Sequence, residues 1–363
     1  MLSETEGAFL TLHEIVKAAH ARLDRNIWDY LVGGTETETT VRRNRLALDQ
    51  LALRPRVLRD VSTIDTSGRF FGQKIRLPVA LAPVGSLESF ESGGGATAAR
   101  AAAAFGVPVY VSSVTQPGLE ETAAAATGPK VFQLYVRGDQ DWVDAHVGRA
   151  REAGYDAFCL TVDTALYSRR ERDITKRFVK PWRQRVAGLE FQAALNWGDV
   201  ERFKRRHDIK LILKGIATAE DAARACELGV EGIYVSNHGG RQLDHGRGAI
   251  EVLAEVVEAV AGRARITVDG GFCRGTDIVK AIALGAESVA IGRLYCFGLA
   301  AAGEQGVVRV LELLEAEVTE CLGLLGADRF GALDRTHLHP AQPTALPHVL
   351  SAFPLLQLSE GSY

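Results

Sequence analysis

From residue 77 onward, the chain alternates between two hydrophobic rhythms. Short apolar runs, rich in β-branched residues, recur as LPVALAPV from Leu77, VPVYVSS from Val107, VFQLYV from Val131 and AFCLTVD from Ala157. Four more follow: LILKGI from Leu211, GIYVSNHGG from Gly232, RITVDGG from Arg265 and SVAIGR from Ser288. They are near-continuously apolar, as strands buried on both faces of a parallel sheet are. Alanine-rich or charged amphipathic stretches separate them, such as GATAARAAAAFG and TAEDAARACELG. Strand-helix alternation predicts right-handed βαβ units. Eight of them predict an α/β protein closed into a (β/α)8 TIM barrel. No Pro/Ser-rich linker interrupts the series, so one domain over residues 7–358 is expected.

The first 76 residues read as helix and loop. Leu12, Ile15, Val16, Ala19, Leu23, Ile27 and Leu31 recur at helical spacing. Gly33 and Gly34 are placed to end that helix in a left-handed cap. The pattern predicts a helical segment ahead of the barrel.

The polar residues collect at the strand ends. Each strand begins apolar and finishes on small or reactive side chains: Pro83-Val84-Gly85, Ser112, Gln133 with Tyr135, Thr161 with Asp163, Lys214, Ser236-Asn237-His238, Asp269-Gly270-Gly271 and Gly292-Arg293. In a closed barrel these ends converge on one face, where barrel enzymes hold their sites. Between the fourth and fifth strands lie 47 residues, Thr164 to Lys210, longer than the other connections. Long excursions on the catalytic face are commonly lids. This one opens ALYSRRERDITKRF, and Arg170 is a candidate grip for an anion.

Two Gly-rich turns, VDGG and AIGR, follow the seventh and eighth strands. In barrels such loops cup phosphate with backbone N–H groups, and Arg293 adds charge. That cup suits a sugar phosphate or a flavin mononucleotide equally. No GxGxxG follows the first strand and GxxxxGK[ST] is absent, which disfavours Rossmann and P-loop sites. At SNHGGRQLD, His238 can take a proton near neutrality. Arg241, three residues on, can hold a carboxylate bidentately. Asp163 can orient the imidazole, and Lys214 is a fixed cation at the barrel mouth.

Composition narrows the partners. Hydrophobic residues make up 47%, enough for a large core, and 42 basic against 45 acidic residues give a net charge of −3. That balance argues against a dedicated nucleic-acid binder. No apolar run reaches membrane-spanning length, and MLSETEGAFL lacks a signal-peptide pattern. The five Cys form no CxxC pair, so neither disulfide framework nor zinc site is expected, and no other metal is. They read as buried small hydrophobes in a protein of a reducing cytoplasm.

SNHGGRQLD resembles the active-site signature of the FMN-dependent 2-hydroxy acid oxidase/dehydrogenase family, which includes glycolate and lactate oxidases and mandelate dehydrogenases. The likeness extends through WDYLVGG, NRLALDQLALRPRVL, FQLYV, LTVDT, SRRE, LILKG, ATAED, VDGGFCRGTD, ALGAESVAIGR and RTH. It implies FMN as cofactor and oxidation of an (S)-2-hydroxy acid to the 2-oxo acid. Oxygen or another acceptor then reoxidises the flavin. It implies His238 as base with Asp163 behind it, Tyr30 and Tyr135 on the substrate, and Arg241 and Arg170 on its carboxylate. Lys214 would stabilise the reduced ring. Ser112, Gln133, Thr161 and Ser236 would bond the isoalloxazine, with Pro83, Val84 and Gly85 packed on it. Asp269 would hold the ribityl chain, and Gly270, Gly271, Gly292 and Arg293 the phosphate.

This chain departs from the family pattern in several places. Cys273 replaces an Arg at the phosphate end, which leaves compensation to Arg274 or solvent, or FMN bound more weakly. Gly85 replaces the Ala of many oxidases, as in mandelate dehydrogenases, and points to oxygen as a poor acceptor. Val114 and Leu31 replace bulky aromatics, implying a wider pocket and a larger 2-hydroxy acid. The lid lacks a long apolar insert, which implies a soluble protein. The family's habit implies a homotetramer. Two other readings remain: a different FMN or phosphate-binding barrel, such as an isopentenyl diphosphate isomerase-like enzyme, and a catalytically silent flavin-binding protein.

Overall fold

The computed structural model describes residues 9–179 and 187–355. The expected domain ends, residues 7 and 358, lie outside the described residues.

Three helices open the chain: α1 (Leu12–Arg22), α2 (Arg25–Val32) and α3 (Thr39–Asp49). The single helical rhythm expected from Leu12 to Leu31 is thus two helices. The break falls at Leu23–Asp24, where the Asp24 carboxylate accepts from the N–H groups of Asn26 and Ile27 and starts a new helix. Apolar spacing survives the break, because α1 and α2 pack on the same core. Gly33 caps α2 in an extended conformation (φ −69°, ψ 164°), not the expected left-handed one. Short strands β1 (Leu51–Leu53), β2 (Gly68–Phe70) and β3 (Gln73–Ile75) follow, where only helix and loop were expected.

All eight expected strands form. They are β4 (Val79–Leu81), β5 (Val109–Ser112), β6 (Lys130–Leu134), β7 (Ala157–Thr161), β8 (Lys210–Ile216), β9 (Gly232–Val235), β10 (Arg265–Val268) and β11 (Ser288–Ile291). They pair in parallel and close into one barrel. Around it run α4 (Gly94–Phe105), α5 (Leu119–Ala124) and α6 (Gln140–Glu152). The lid connection carries α7 (Glu171–Thr175) and α8 (Leu189–Ala194) before α9 (Trp197–Arg206) returns to the barrel wall. Then come α10 (Ala219–Glu227), α11 (Ala249–Val260), α12 (Gly275–Ala283) and the long α13 (Arg293–Leu325), which is broken at Ala302–Gly303. A last strand, β12 (Leu338–Pro340), pairs antiparallel with β1.

The barrel interior is a packed core of Ala80, Tyr110, Val131, Ala157, Cys159, Ile212, Tyr234 and Ala290. Tyr110 and Tyr234 meet edge to face at 5.3 Å. The β2–β3 hairpin closes the floor, its Phe70 and Ile75 packing into the same cluster. With the floor sealed, ligand access is left to the C-terminal face. Side chains alternate along a strand, so residues two and four places beyond each interior residue face the axis nearer that rim. Tyr110 leads to Ser112, Val131 to Gln133 and Tyr135, Cys159 to Thr161 and Asp163, Ile212 to Lys214, and Tyr234 to Ser236 and His238.

The five Cys are all free, and four are buried, as expected of small hydrophobes. Among the described residues no helix is long and apolar enough to cross a membrane.

Candidate active site

The chain turns sharply after β9. His238, Gly239 and Gly240 take three successive left-handed conformations, with φ of 59°, 64° and 75°. The backbone N–H of His238 donates to Ser236 Oγ at 3.0 Å, fixing the turn. The imidazole then stands between two polar partners. Nδ1 lies 3.1 Å from Asp163 Oδ1, and Nε2 lies 3.2 Å from the Tyr135 hydroxyl. Asp163 fits there because Gly215 (φ 111°) lacks a side chain; a Cβ at that position would stand 2.6 Å from Asp163 Cβ. Burial penalises the Asp163 charge, yet His238 and Lys214 more than offset it and hold the carboxyl below its ordinary value. Burial pushes the His238 imidazole down, against the pull of Asp163. Burial and the nearby Asp163 charge raise the Tyr135 hydroxyl. The result is a neutral imidazole held in one orientation beside a protonated phenol.

Lys214 is buried behind this group. Its Nζ donates to Ser236 Oγ at 3.0 Å and lies 3.7 Å from Asp269 Oδ2, while Ser236 Oγ donates to Asp269 Oδ1 at 2.6 Å. Burial disfavours the ammonium, but the Asp269 and Asp163 carboxylates outweigh it and raise Lys214 above its ordinary value.

One cavity of about 330 Å³ collects most of the expected side chains. Tyr30, Tyr135, Arg170, Lys214, His238 and Arg241 line it together. So do Pro83, Val84, Gly85, Asp269, Gly270, Gly271, Cys273, Gly292 and Arg293. Ser112, Gln133, Thr161 and Ser236 are buried just beneath the strand ends.

The cations cluster. The Arg241 guanidinium sits 5.0 Å from the Tyr30 ring centre, and the Tyr30 hydroxyl donates to the Gly85 carbonyl at 3.0 Å. Arg241 also donates to the Gly33 carbonyl at 2.6 Å. Arg293 donates to the carbonyls of Leu31, Gly33 and Gly239. Both guanidinium groups thus meet the negative end of α2. Arg170 comes from the lid, at the start of α7, and its Nε is buried without a hydrogen-bond partner. Burial together with Arg170 and Arg293 presses Arg241 well below its usual pKa, so the cavity favours an anion.

The residues fit FMN. Gln133 donates to Thr161 Oγ1 at 2.8 Å, but its buried Oε1 has no partner. Gly270 and Gly271 have φ of 107° and 87° and lie so close to Asn44 that added Cβ atoms would stand 3.0 and 3.1 Å from it. That leaves bare backbone, as a phosphate cup requires. Cys273 faces the same end; burial pushes its thiol up to about 12, so it adds no charge. Arg274 does not compensate as expected. It pairs with Glu317 and bonds the Ala352 carbonyl, and it does not line the cavity.

Several cavity residues escaped sequence reasoning. Asn44 and Arg45 of α3 reach the phosphate end, where Arg45 grips Asp277 through two bonds of 2.8 and 2.9 Å. Their place in NRLALDQ was visible, but Asn44 pairs with Asn237, 193 residues away, and Arg45 with Asp277, 232 residues away. Arg137, two residues beyond Tyr135, also lines the wall. Gln192 of α8 ties the lid down: it accepts from the Val136 N–H at 2.7 Å and donates to the Thr161 carbonyl at 2.8 Å. Among the described residues no group of three or more His, Cys, Asp or Glu could hold a metal ion.

The sequence model of a family described as FMN-dependent dehydrogenase matches residues 19–340. The chain is 39% identical over 349 residues to a peroxisomal (S)-2-hydroxy-acid oxidase of Oryza sativa subsp. japonica, covering 91% of this chain and 95% of that one. It is 37% identical over 357 residues to an L-lactate oxidase of Nostoc sp., covering 91% and 98%. Among solved structures, it is similar to a mandelate oxidase crystallised with 3,3-difluoro-2-hydroxy-3-phenylpropionic acid. That match has 41% identity and a TM-score of 0.86, covering 93% of this chain and all of the other.

Proposed function

The chain belongs to the FMN-dependent dehydrogenase family, and from that premise we propose how its own residues oxidise a 2-hydroxy acid. When bound, FMN would supply the two-electron acceptor for the oxidation at C2, which loses its hydrogen as the hydroxyl loses its proton. The Asp269, Gly270, Gly271, Gly292 and Arg293 end of the cavity, with Cys273, would hold its ribityl phosphate. Ser112, Gln133, Thr161 and Ser236 would hydrogen-bond its isoalloxazine, and Pro83, Val84 and Gly85 would pack on it. Lys214 would offer that ring a fixed positive charge.

Arg241 and Arg170 bind the substrate carboxylate, and Tyr30 and Tyr135 hydrogen-bond the substrate. His238 Nε2 accepts the proton released at C2–OH, and Asp163 stabilises the imidazolium that forms. The observation that carries this reading is the placement of His238, neutral and oriented, with Arg241 and Arg170 around one cavity.

The finer substrate class follows from the apolar wall. Leu31, Phe90, Val114, Leu166, Leu189 and Val349 line the cavity, and a Cβ on Gly85 would strike Val114 at 2.7 Å. Val114 and Gly85 together thus set the space available beside C2. This wall supports a bulky, apolar or aromatic substituent on C2 of the (S)-2-hydroxy acid that the family reading implies, in line with the mandelate oxidase likeness. We further propose one domain over residues 7–358, a cytoplasmic location and a homotetramer.

The test is anaerobic mixing of the yellow holoenzyme with a panel of 2-hydroxy acids. Bleaching is expected, faster with mandelate than with glycolate. Arg241→Met and Arg170→Met are each expected to raise KM on the order of tenfold or more. Colour that persists across the panel would overturn the reading.

A further inference from the structure

The cavity holds a cation with no assigned task. Arg137 follows β6 by three residues. Because successive residues of an extended chain face opposite ways, it points to the same side as Tyr135, while Val136 between them is buried behind. Its guanidinium carbon lies 5.8 Å from the Tyr135 ring centre, and the His238 ring lies 6.2 Å from that same ring. Arg137 therefore flanks the reacting centre. Arg241, which follows β9, stands three strands further round the barrel.

The hydrogen-bonding capacity of Arg137 is largely unspent. Nη1 donates to the carbonyl of Val136 at 2.9 Å, and the buried Nε has no partner. The influences on its charge are burial and the Tyr135 hydroxyl; no carboxylate among the described residues acts on it. Glu190 lines the cavity too, and among the described residues no ion pair joins it to Arg137. Leu189 and Ala193 of the lid line the same cavity. A half-buried guanidinium in the cavity wall, with an unsatisfied donor, is costly to leave unpaired. Solvation explains the exposed part of the side chain but not the buried Nε.

We propose that Arg137 is the floor of a second acid-binding subsite, so that the favoured substrate is a 2-hydroxy acid whose substituent ends in another carboxylate. The proposal rests on the 2-hydroxy acid reading above and deepens it. One carboxylate goes to Arg241 and Arg170, C2 sits at His238, and the far carboxylate bonds Arg137 across the apolar wall. A planar guanidinium suits a carboxylate in two-point contact.

The test compares matched pairs on the holoenzyme: 4-carboxymandelate with mandelate, and 2-hydroxyglutarate with 2-hydroxypentanoate. Steady-state KM is measured for the acids, and calorimetric Kd for the corresponding 2-oxo acids. The diacid of each pair is expected to bind on the order of tenfold tighter. In Arg137→Met the diacid-to-monoacid ratio is expected to fall to one or below, and Arg137→Lys to recover part of the preference. Equal or weaker diacid binding by the unaltered protein, or a ratio unmoved in Arg137→Met, would overturn the proposal. Failure of every hydroxy acid to bleach the flavin sinks the parent reading instead, while the 2-oxo acid Kd values still decide the subsite.

Discussion

Asp163 holds His238 by Nδ1, at 3.1 Å, which leaves Nε2 as the nitrogen that faces the cavity and Tyr135. The pairing fixes the tautomer in which Nδ1 carries the proton and Nε2 is free to accept one. It also biases the imidazole's affinity for a proton, since burial lowers it and Asp163 raises it.

The pH profile should carry that signature. The working imidazole is neutral and its pKa lies below the ordinary 6.5. Then kcat/KM should be flat through neutral pH and fall about tenfold per unit once pH drops below the depressed pKa. Asp163→Asn removes the influence that raises the pKa, so the acid limb should move to still lower pH. Its plateau should fall by about 10²–10⁴-fold, as loss of a positioned base costs. An acid limb that moved upward would contradict the assigned pairing.

Cys273 makes a different prediction. It lines the phosphate end with a neutral thiol, while Arg274 is taken up by Glu317. Cys273→Arg should therefore tighten FMN binding on the order of tenfold, by one charge-assisted bond. Riboflavin, which lacks the phosphate, should bind with unchanged affinity. Fluorescence titration of the apoprotein with both flavins measures the contrast.

Gln192 is 2% exposed and uses both ends of its amide to join the lid to Val136, just after β6, and to Thr161 of β7. Gln192→Leu should leave the Val136 N–H and the Thr161 carbonyl buried without partners, a cost of about 1–3 kcal/mol. The expected outcome is faster proteolytic nicking within residues 164–209 and a raised substrate KM.

The barrel was legible because its physics is local. Eight apolar runs sit at the right intervals, and a period of two carries each interior residue forward to a polar one at the rim. The signature around His238 was legible for the same reason: base, glycines and Arg241 lie within four residues. What escaped depends on distant partners. Phe70 and Ile75 look like loop residues until the hairpin meets the barrel floor. Arg45 looks like a surface helix residue until Asp277 reaches it. Arg274 looked like a spare cation because nothing near it in sequence announced Glu317. The break at Asp24 was hidden because both helices bury the same stripe. Arg137 was overlooked because one Arg after a strand carries no pattern; only the cavity wall and its lone Nε give it meaning.

His238 occupies a backbone region that a side chain with a Cβ enters at a cost of about 1 kcal/mol, and the two glycines after it do not share that burden. A chain optimised for endurance to heat would place glycine there too. The protein thus gives up a little robustness at the one position whose imidazole it cannot do without, and hardening the enzyme means reinforcing it somewhere else.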